Sequence, residues 1–132
     1  MRRPPARVEA ISDEAFELEA ETLRALAHPK RLMILHLLGD SSLTVTALAG
    51  ALHLSLPNAS QHLRILRDRG IVRSERVGQG VRYRVANPAI RTCCRRVREI
   101  LVDQVRRHGV ELHTAAPRAV AHHEALADAL AA

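Results

Sequence analysis

The stretch from Ser55 to Gly70 carries hydrogen-bonding side chains at spacings that predict one open face of a helix. Ser55 can cap this helix, because its hydroxyl accepts from a free N–H of the first turn, and Gly70 ends it. Leu63 and Leu66 form the inward stripe. The outward positions carry amide, hydroxyl and guanidinium groups, at Asn58, Ser60, Gln61 and Arg64. A helix with such a face can enter the major groove of duplex DNA, where these groups would meet base edges.

The segment that follows predicts a basic β-hairpin. Residues 72–77 and 81–85 alternate in side-chain character, and Gly78-Gln79-Gly80 turns the chain between them. Arginine recurs on both strands, at Arg73, Arg76, Arg82 and Arg84. A polar-faced helix followed by a basic hairpin is the layout of a winged helix-turn-helix, in which the hairpin (the wing) lies on the adjacent DNA backbone. The alternative is a ribbon that serves only for packing.

Positive charge is concentrated in the same part of the chain. The net charge is +6, and residues 62–108 alone hold 13 arginines against 4 acidic residues. A segment of one sign is the electrostatic footprint of a phosphate backbone, whereas a solvated face usually mixes signs. Aromatic residues make up only 2% of the chain, so the stacking platforms that single strands need are missing. The charge therefore favours duplex DNA as the partner.

The flanking segments predict helices that position this reading unit. Their ranges are Ser12–Ala27, Pro29–Leu38, roughly Thr44–Leu52, Pro88 to about His108, and Ala119–Leu130. With so few aromatic residues, the core must consist of Leu, Val, Ala and Ile. The first and fifth helices carry apolar stripes that so small a core is not expected to cover fully. We therefore expect these two helices to pair with a second subunit.

We expect three segments along the chain. They are a disordered basic arm at 1–11, a winged helix-turn-helix DNA-binding and dimerisation domain at 12–109, and a C-terminal tail and helix at 110–132. No run of 18 apolar residues predicts a membrane span, and the first residues lack the apolar region of a secretion signal. Two adjacent cysteines make no disulfide framework. These features predict a cytoplasmic protein.

Two stretches resemble the ArsR/SmtB family of winged-helix repressors. LRALAHPKRLMILHLL, at Leu23 to Leu38, resembles the family's second-helix signature. SLPNASQHLRILRDRGIVRSERVGQGVRYRV, at Ser55 to Val85, resembles its reading helix and wing. The similarity extends over roughly Leu23 to Leu101. It implies a mostly α fold with a small β-hairpin wing, a homodimer, operator binding without ligand, and release when an inducer binds.

The resemblance also implies which residues contact DNA. The groove-facing positions are Ser55, Asn58, Ser60, Gln61 and Arg64, and the wing positions are Arg73, Gln79 and Arg82. Gln61 or Asn58 has the geometry to bond adenine, and Arg64 has the geometry to bond guanine.

Two metal sites known in this family lack their ligands here. Many members bind thiophilic metal through a Cys-x-Cys on the third helix, and the matching stretch is Thr44-Val45-Thr46. Hydroxyls do not replace thiolates for soft metals. Others close zinc sites across the dimer at positions that match Asn87, Ala89, Ile100 and Asp103, of which only the last could ligate. We expect neither site.

Cys93 and Cys94 on the fifth helix are the first candidate for an inducer site. Some arsenic-responsive members carry a vicinal pair in this region, commonly with a third cysteine, which this chain lacks. The pair could bind arsenite or another thiophilic species, or act as a redox switch. Nearby arginines would favour the reactive thiolate. The alternative is that both cysteines are inert core residues.

Four histidines toward the C-terminus form the second candidate: His108, His113, His122 and His123. Imidazole suits nickel or zinc, and solvated tail histidines are the alternative. His28, His36 and His62 are interpreted as structural or backbone-contacting.

An enzyme is the least favoured class, because the chain has no Gly-rich phosphate loop, Ser–His–Asp arrangement or HExxH motif. The hypotheses that remain are a ligand- or redox-responsive repressor, or a DNA-binding regulator without a metal sensor.

Overall fold

The elements of this chain follow the order of the predicted helices and hairpin. The structure, a computed structural model, describes residues 12–108 of the 132. In chain order these residues form α1 (Asp13–Leu26), α2 (Pro29–Leu38), β1 (Leu43–Thr44), α3 (Val45–Leu52), α4 (Leu56–Asp68), β2 (Val72–Val77), β3 (Gly80–Val85) and α5 (Pro88–His108). Two units divide the chain between Ala86 and Asn87, so α5 belongs to a different unit from the elements before it.

Side-chain caps set where the helices begin. The hydroxyls of Ser12, Thr44 and Ser55 each accept a hydrogen bond from the N–H three residues on, at 3.1–3.3 Å. The Asn87 side chain accepts from the Ala89 N–H at 2.9 Å at the start of α5. Such bonds satisfy N–H groups that have no partner within the helix. The predicted cap at Ser55 is confirmed.

The core of the first unit lies where α2, α3 and α4 meet the sheet. Its fully buried large side chains are Ile34, Leu35, Leu38, Leu48, Leu63, Leu66, Ile71 and Val72. Every one is Leu, Ile or Val, which confirms the aliphatic core predicted from the composition. Ala59 is also fully buried on α4, where its small side chain allows the helix to lie close to its neighbours.

A three-stranded antiparallel sheet replaces the two-stranded ribbon expected from the sequence. The strand order is β1-β3-β2, and Leu43 pairs with Tyr83 while Val72 pairs with Val85. Gly78 has φ of +61° in the hairpin turn, a conformation that favours glycine. β1 was not predicted, because two residues are too few to show an alternating pattern.

The apolar stripe of α1 is exposed over most of its length. Phe16 and Leu23 are 53% and 50% exposed, and Ala25 is the buried residue of this helix. The expectation that the core leaves this face uncovered therefore agrees with the structure. α5 likewise exposes Val97 and Ile100.

Several predicted segments lie outside the described residues. They are the arm at 1–11, the tail at 110–132 and the helix at Ala119–Leu130. Within residues 12–108, no helix is long and apolar enough to cross a membrane.

Candidate nucleic-acid interface

Helix α4 presents one buried face and one polar face, as its sequence predicted. Ala59, Leu63 and Leu66 are fully buried. The exposed residues on the opposite side include Ser55, Asn58, Ser60, Gln61 and Arg64. The structure thus brings together all five groove-facing candidates, Ser55 as the cap residue of α4 and the other four on its N-terminal two-thirds.

A tight turn joins α3 to α4. His53 adopts the left-handed conformation with φ of +54°, and the Leu54 N–H donates to the Ala49 carbonyl at 2.9 Å. The Lys30 ammonium donates to the Leu52 carbonyl at 3.0 Å, which ties α2 to the end of α3. α3, this turn and α4 form the helix-turn-helix, which places α4 on the surface.

The wing carries arginines in two different environments. Arg73, Arg76 and Gln79 are exposed on β2 and in the hairpin turn. Arg82 is half-buried, with its Nε donating to the Ser42 hydroxyl at 3.0 Å and its Nη2 donating to the Ser42 carbonyl at 2.8 Å. Arg82 therefore anchors the wing, while the other predicted wing residues, Arg73 and Gln79, are exposed.

Arg76 was missing from the predicted DNA contacts although the hairpin pattern contained it. It is exposed and lies opposite Val81, near the turn. By contrast, Arg73 and Arg84 both approach the Glu75 carboxylate, at 3.5 and 3.7 Å. Because side chains alternate along a strand, the pattern of β2 places Arg76 on the face opposite Arg73 and Glu75. This alternation could have identified Arg76 from the sequence.

The two cysteines on α5 differ in exposure. Both are free thiols, and Cys93 is exposed while Cys94 is half-buried. Burial raises the pKa of Cys94, and the neighbouring Cys93 raises it further, whereas Arg98 opposes this shift. Arg98 therefore favours the thiolate of Cys94, as expected of the nearby arginines, but burial and Cys93 have the larger effect. Arg95 and Arg96 instead approach Glu99, at 3.8 and 3.0 Å.

Two positions that match metal ligands of the resembled family have structural roles here. The Thr44 hydroxyl caps α3, and the Asn87 side chain caps α5. In the part of the chain that the structure describes, no three His, Cys, Asp or Glu side chains are grouped so that they could hold a metal ion. The His108 side chain and His113, His122 and His123 lie outside that part.

Comparison with known proteins identifies a family and a fold. The family described as "Bacterial regulatory protein, arsR family" matches residues 28–74. The chain is 43% identical over 84 residues to the transcriptional repressor SmtB of Mycobacterium tuberculosis, covering 64% of this chain and 58% of that repressor. It is 34% identical over 103 residues to the regulator NmtR of the same organism, covering 78% and 79% of the two chains. The chain thus spans less than two thirds of the SmtB relative and most of NmtR.

Solved structures show the same architecture. The crystal structure of Rv0081 from M. tuberculosis is 33% identical with a TM-score of 0.66, over 72% of this chain and 96% of that one. The homodimeric winged helix-turn-helix domain of Mb0332 from Mycobacterium bovis is 29% identical with a TM-score of 0.64, over 80% and 99%. The fold class predicted from the sequence is confirmed, and the relatives are named as regulators rather than enzymes. With NmtR and Rv0081 matched over most of their lengths, this chain belongs to the ArsR/SmtB family of winged helix-turn-helix regulators.

Proposed function

We propose that this protein is a repressor that binds a specific sequence of duplex DNA as a homodimer and leaves it when an inducer binds. The observation that carries the proposal is the two-sided character of α4. Three small or aliphatic side chains fix the helix in the core, and amide, hydroxyl and guanidinium groups are exposed opposite them. These exposed side chains need no hydrogen-bond partner within the fold and can form hydrogen bonds with base edges.

In this proposal α4 lies in the major groove and the wing lies on the phosphate backbone. Asn58 or Gln61 bonds adenine, and Arg64 bonds guanine. Arg73, Arg76 and Gln79 contact phosphate or sugar from the open side of the wing. Arg82 supports these contacts through its bonds to Ser42.

Exposed apolar side chains support the homodimer. Phe16 and Leu23 lie seven residues apart, and therefore on one face of α1, and both are about half exposed. Two copies would place two α4 helices in successive major grooves, about 34–36 Å apart. The Mb0332 domain, which shares the fold, is homodimeric.

Cys93 and Cys94 are the proposed inducer site for arsenite, another thiophilic species or an oxidant. Cys93 is exposed and therefore open to a reagent, and Cys94 follows it directly on the helix. A regulator without a metal sensor, or one that responds to nickel or zinc through the C-terminal histidines, is the second candidate.

The test is fluorescence anisotropy with the DNA upstream of the protein's own gene, for the wild type and a Cys93→Ser/Cys94→Ser variant. We expect salt-dependent, sequence-specific binding, and release by arsenite or oxidant that the double variant loses. Release by nickel or zinc in both proteins would indicate that the inducer site lies at the C-terminal histidines and not at the cysteines. Binding that no addition changes would favour the regulator without a sensor, and absence of binding at low salt would contradict the proposed function.

A further inference from the structure

Two histidine rings join α2 to the centre of α4. His28 is the N-cap residue of α2, and His62 lies in the second turn of α4. Their ring centroids are 4.5 Å apart, with the ring planes tilted by 48°. His62 directly follows Gln61, one of the exposed groove-facing residues, so the contact is made one residue from the proposed reading surface.

The hydrogen bonds of this histidine pair (His28 and His62) require both rings to be neutral. The backbone N–H of Lys30 donates to His28 Nδ1 at 3.1 Å. The Arg31 Nη1 lies 3.3 Å from His62 Nδ1, and because arginine has only donors, this nitrogen must accept. Both rings therefore carry their proton on Nε2. A second proton on either ring would place an N–H against an N–H.

The groups that surround the pair are basic and fixed in place. Arg31 donates through its Nε to the Ala25 carbonyl and through its Nη2 to the Arg24 carbonyl, at the end of α1. Lys30 is held by its bond to the Leu52 carbonyl of α3. Neither cation can easily move away if a ring becomes charged, because each bonds to the backbone of another helix.

The surroundings disfavour the charged form of His62. Burial lowers the pKa of His62, and His28, Arg31 and Lys30 lower it further by charge. Within residues 12–108, the groups that lower this pKa by charge are His28, Lys30 and Arg31, which belong to α2 or its cap residue and are all basic. At neutral pH both the hydrogen bonds and the charges favour the neutral ring.

We propose that the histidine pair is a proton-sensitive contact that holds α4 on α2 when the His62 ring is neutral and releases it when that ring is protonated. A second proton on His62 breaks the bond between its Nδ1 and Arg31 and sets the charged ring against Arg31, Lys30 and His28. α4 then loses its polar connection to α2, and the exposed side chains beside His62 are less well fixed. The expected effect on DNA binding rests on the proposed function.

The direction of the pH effect follows from the shift. An ordinary histidine has a pKa of about 6.5, and that of His62 is lower in the folded protein. The folded state therefore binds fewer protons than the unfolded state in this range. The stability of the contact is fully present above about pH 6.5 and is lost as the pH falls through the lowered value.

The first measurement is an NMR titration of the imidazoles in the full chain, together with amide hydrogen exchange of α4 between pH 5 and 8. His62→Asn retains an acceptor near the position of Nδ1 without titrating, and asparagine and histidine have similar helix propensities. His28→Asn retains a good N-cap residue. His36→Gln, at an exposed position of α2, is the matched control.

We expect His62 to titrate below about 6.5. The protection factors of α4 amides should fall by up to about tenfold per unit of pH between about 6.5 and the lowered pKa of His62, and should level off below that pKa. His62→Asn should remove much of this pH dependence, and His36→Gln should leave it unchanged. A His62 that titrates at or above its ordinary value would overturn the proposal, as would equal pH dependence of α4 protection in the wild type and His62→Asn.

DNA binding is then compared at pH 7.5 and 5.5 at constant ionic strength. Lowering the pH also alters DNA binding in ways unrelated to His62, so the informative quantity is the ratio of operator affinities between wild type and His62→Asn. We expect equal operator affinity at pH 7.5, and at pH 5.5 several-fold tighter binding by His62→Asn. If no DNA binds at either pH while α4 protection still depends on His62, the proposed function fails and the proton-sensitive contact stands. If the ratio of operator affinities between wild type and His62→Asn is the same at both pH values, the proposed link between the histidine pair and DNA binding is wrong.

Discussion

The guanidinium of Arg82 donates to both the hydroxyl and the carbonyl oxygen of Ser42, at 3.0 and 2.8 Å. Ser42 immediately precedes β1, whose two residues pair with Tyr83 and Arg82 of β3. Side-chain and backbone bonds therefore fix the base of the wing to the same short segment. The hairpin turn, by contrast, extends beyond this segment and carries exposed side chains.

Arg82→Ala is predicted to weaken the fold as well as DNA binding. The substitution removes two charge-assisted bonds from a half-buried guanidinium, so we expect a loss of roughly 1–2 kcal/mol in the free energy of unfolding. Urea denaturation measures this loss. Ser42→Ala removes one of the same two bonds and should cause a smaller loss, and the double variant should lose less than the sum of the two. Full additivity would show that the two residues do not act together.

Arg64→Ala is predicted to weaken operator binding by about 1–3 kcal/mol and to relax the sequence preference, because a bidentate bond to guanine is lost. Arg64 is exposed and alanine is a strong helix former, so stability should change little. The measurement is anisotropy with the operator and with single-base variants of it.

Arg76→Ala is the matched comparison for Arg64→Ala, since it removes the same charge from the wing. It should weaken all DNA sequences alike and reduce the slope of log affinity against log salt by about 0.9. If Arg64→Ala also weakened all sequences alike, α4 would not be the element that reads bases.

The cysteines are predicted to react at different rates. Cys93 is exposed, whereas Cys94 is half-buried and burial raises its pKa, so less of it is thiolate at neutral pH. We expect iodoacetamide to modify Cys93 faster by roughly tenfold or more at pH 7.5. Mass spectrometry of the single Cys93→Ser and Cys94→Ser variants measures each rate separately. Equal rates would show that burial does not control the reactivity of this pair.

Local signals in the sequence account for most of the helix boundaries. α2 occupies its predicted range, Pro29–Leu38, because proline at its first position and glycine after its last act within a single turn. α4 and α5 likewise begin at the predicted positions, where Ser55 and Asn87 cap them. Cap residues and helix-ending residues act on their neighbours in the chain, so they can be recognised from the sequence alone.

Contacts between residues far apart in the chain could not be predicted from the sequence in this way. Arg31 and His62 are 31 residues apart, and Arg82 and Ser42 are 40 apart, so no spacing rule connects them. The family resemblance implied a DNA-contacting role for Arg82, and the hairpin pattern shows which strand it occupies but not that Ser42 lies beside it. Composition similarly identified the arginines around Cys94 but could not show that burial has the larger effect on its pKa.

Phe16→Glu and Leu23→Glu are predicted to separate the proposed homodimer. Both side chains are about half exposed on one face of α1, so a charge there costs the isolated fold little but would be buried without a partner in a dimer interface. Sedimentation should show a dimer for the wild type and monomers for both variants. Val77→Glu, at a position 55% exposed near the wing turn, adds the same charge away from α1 and should remain dimeric. Because a monomer engages only one half-site, operator affinity should fall by at least 100-fold in the α1 variants, on the order of 3 kcal/mol. A wild type that sediments as a monomer at operator-binding concentrations would contradict the homodimer.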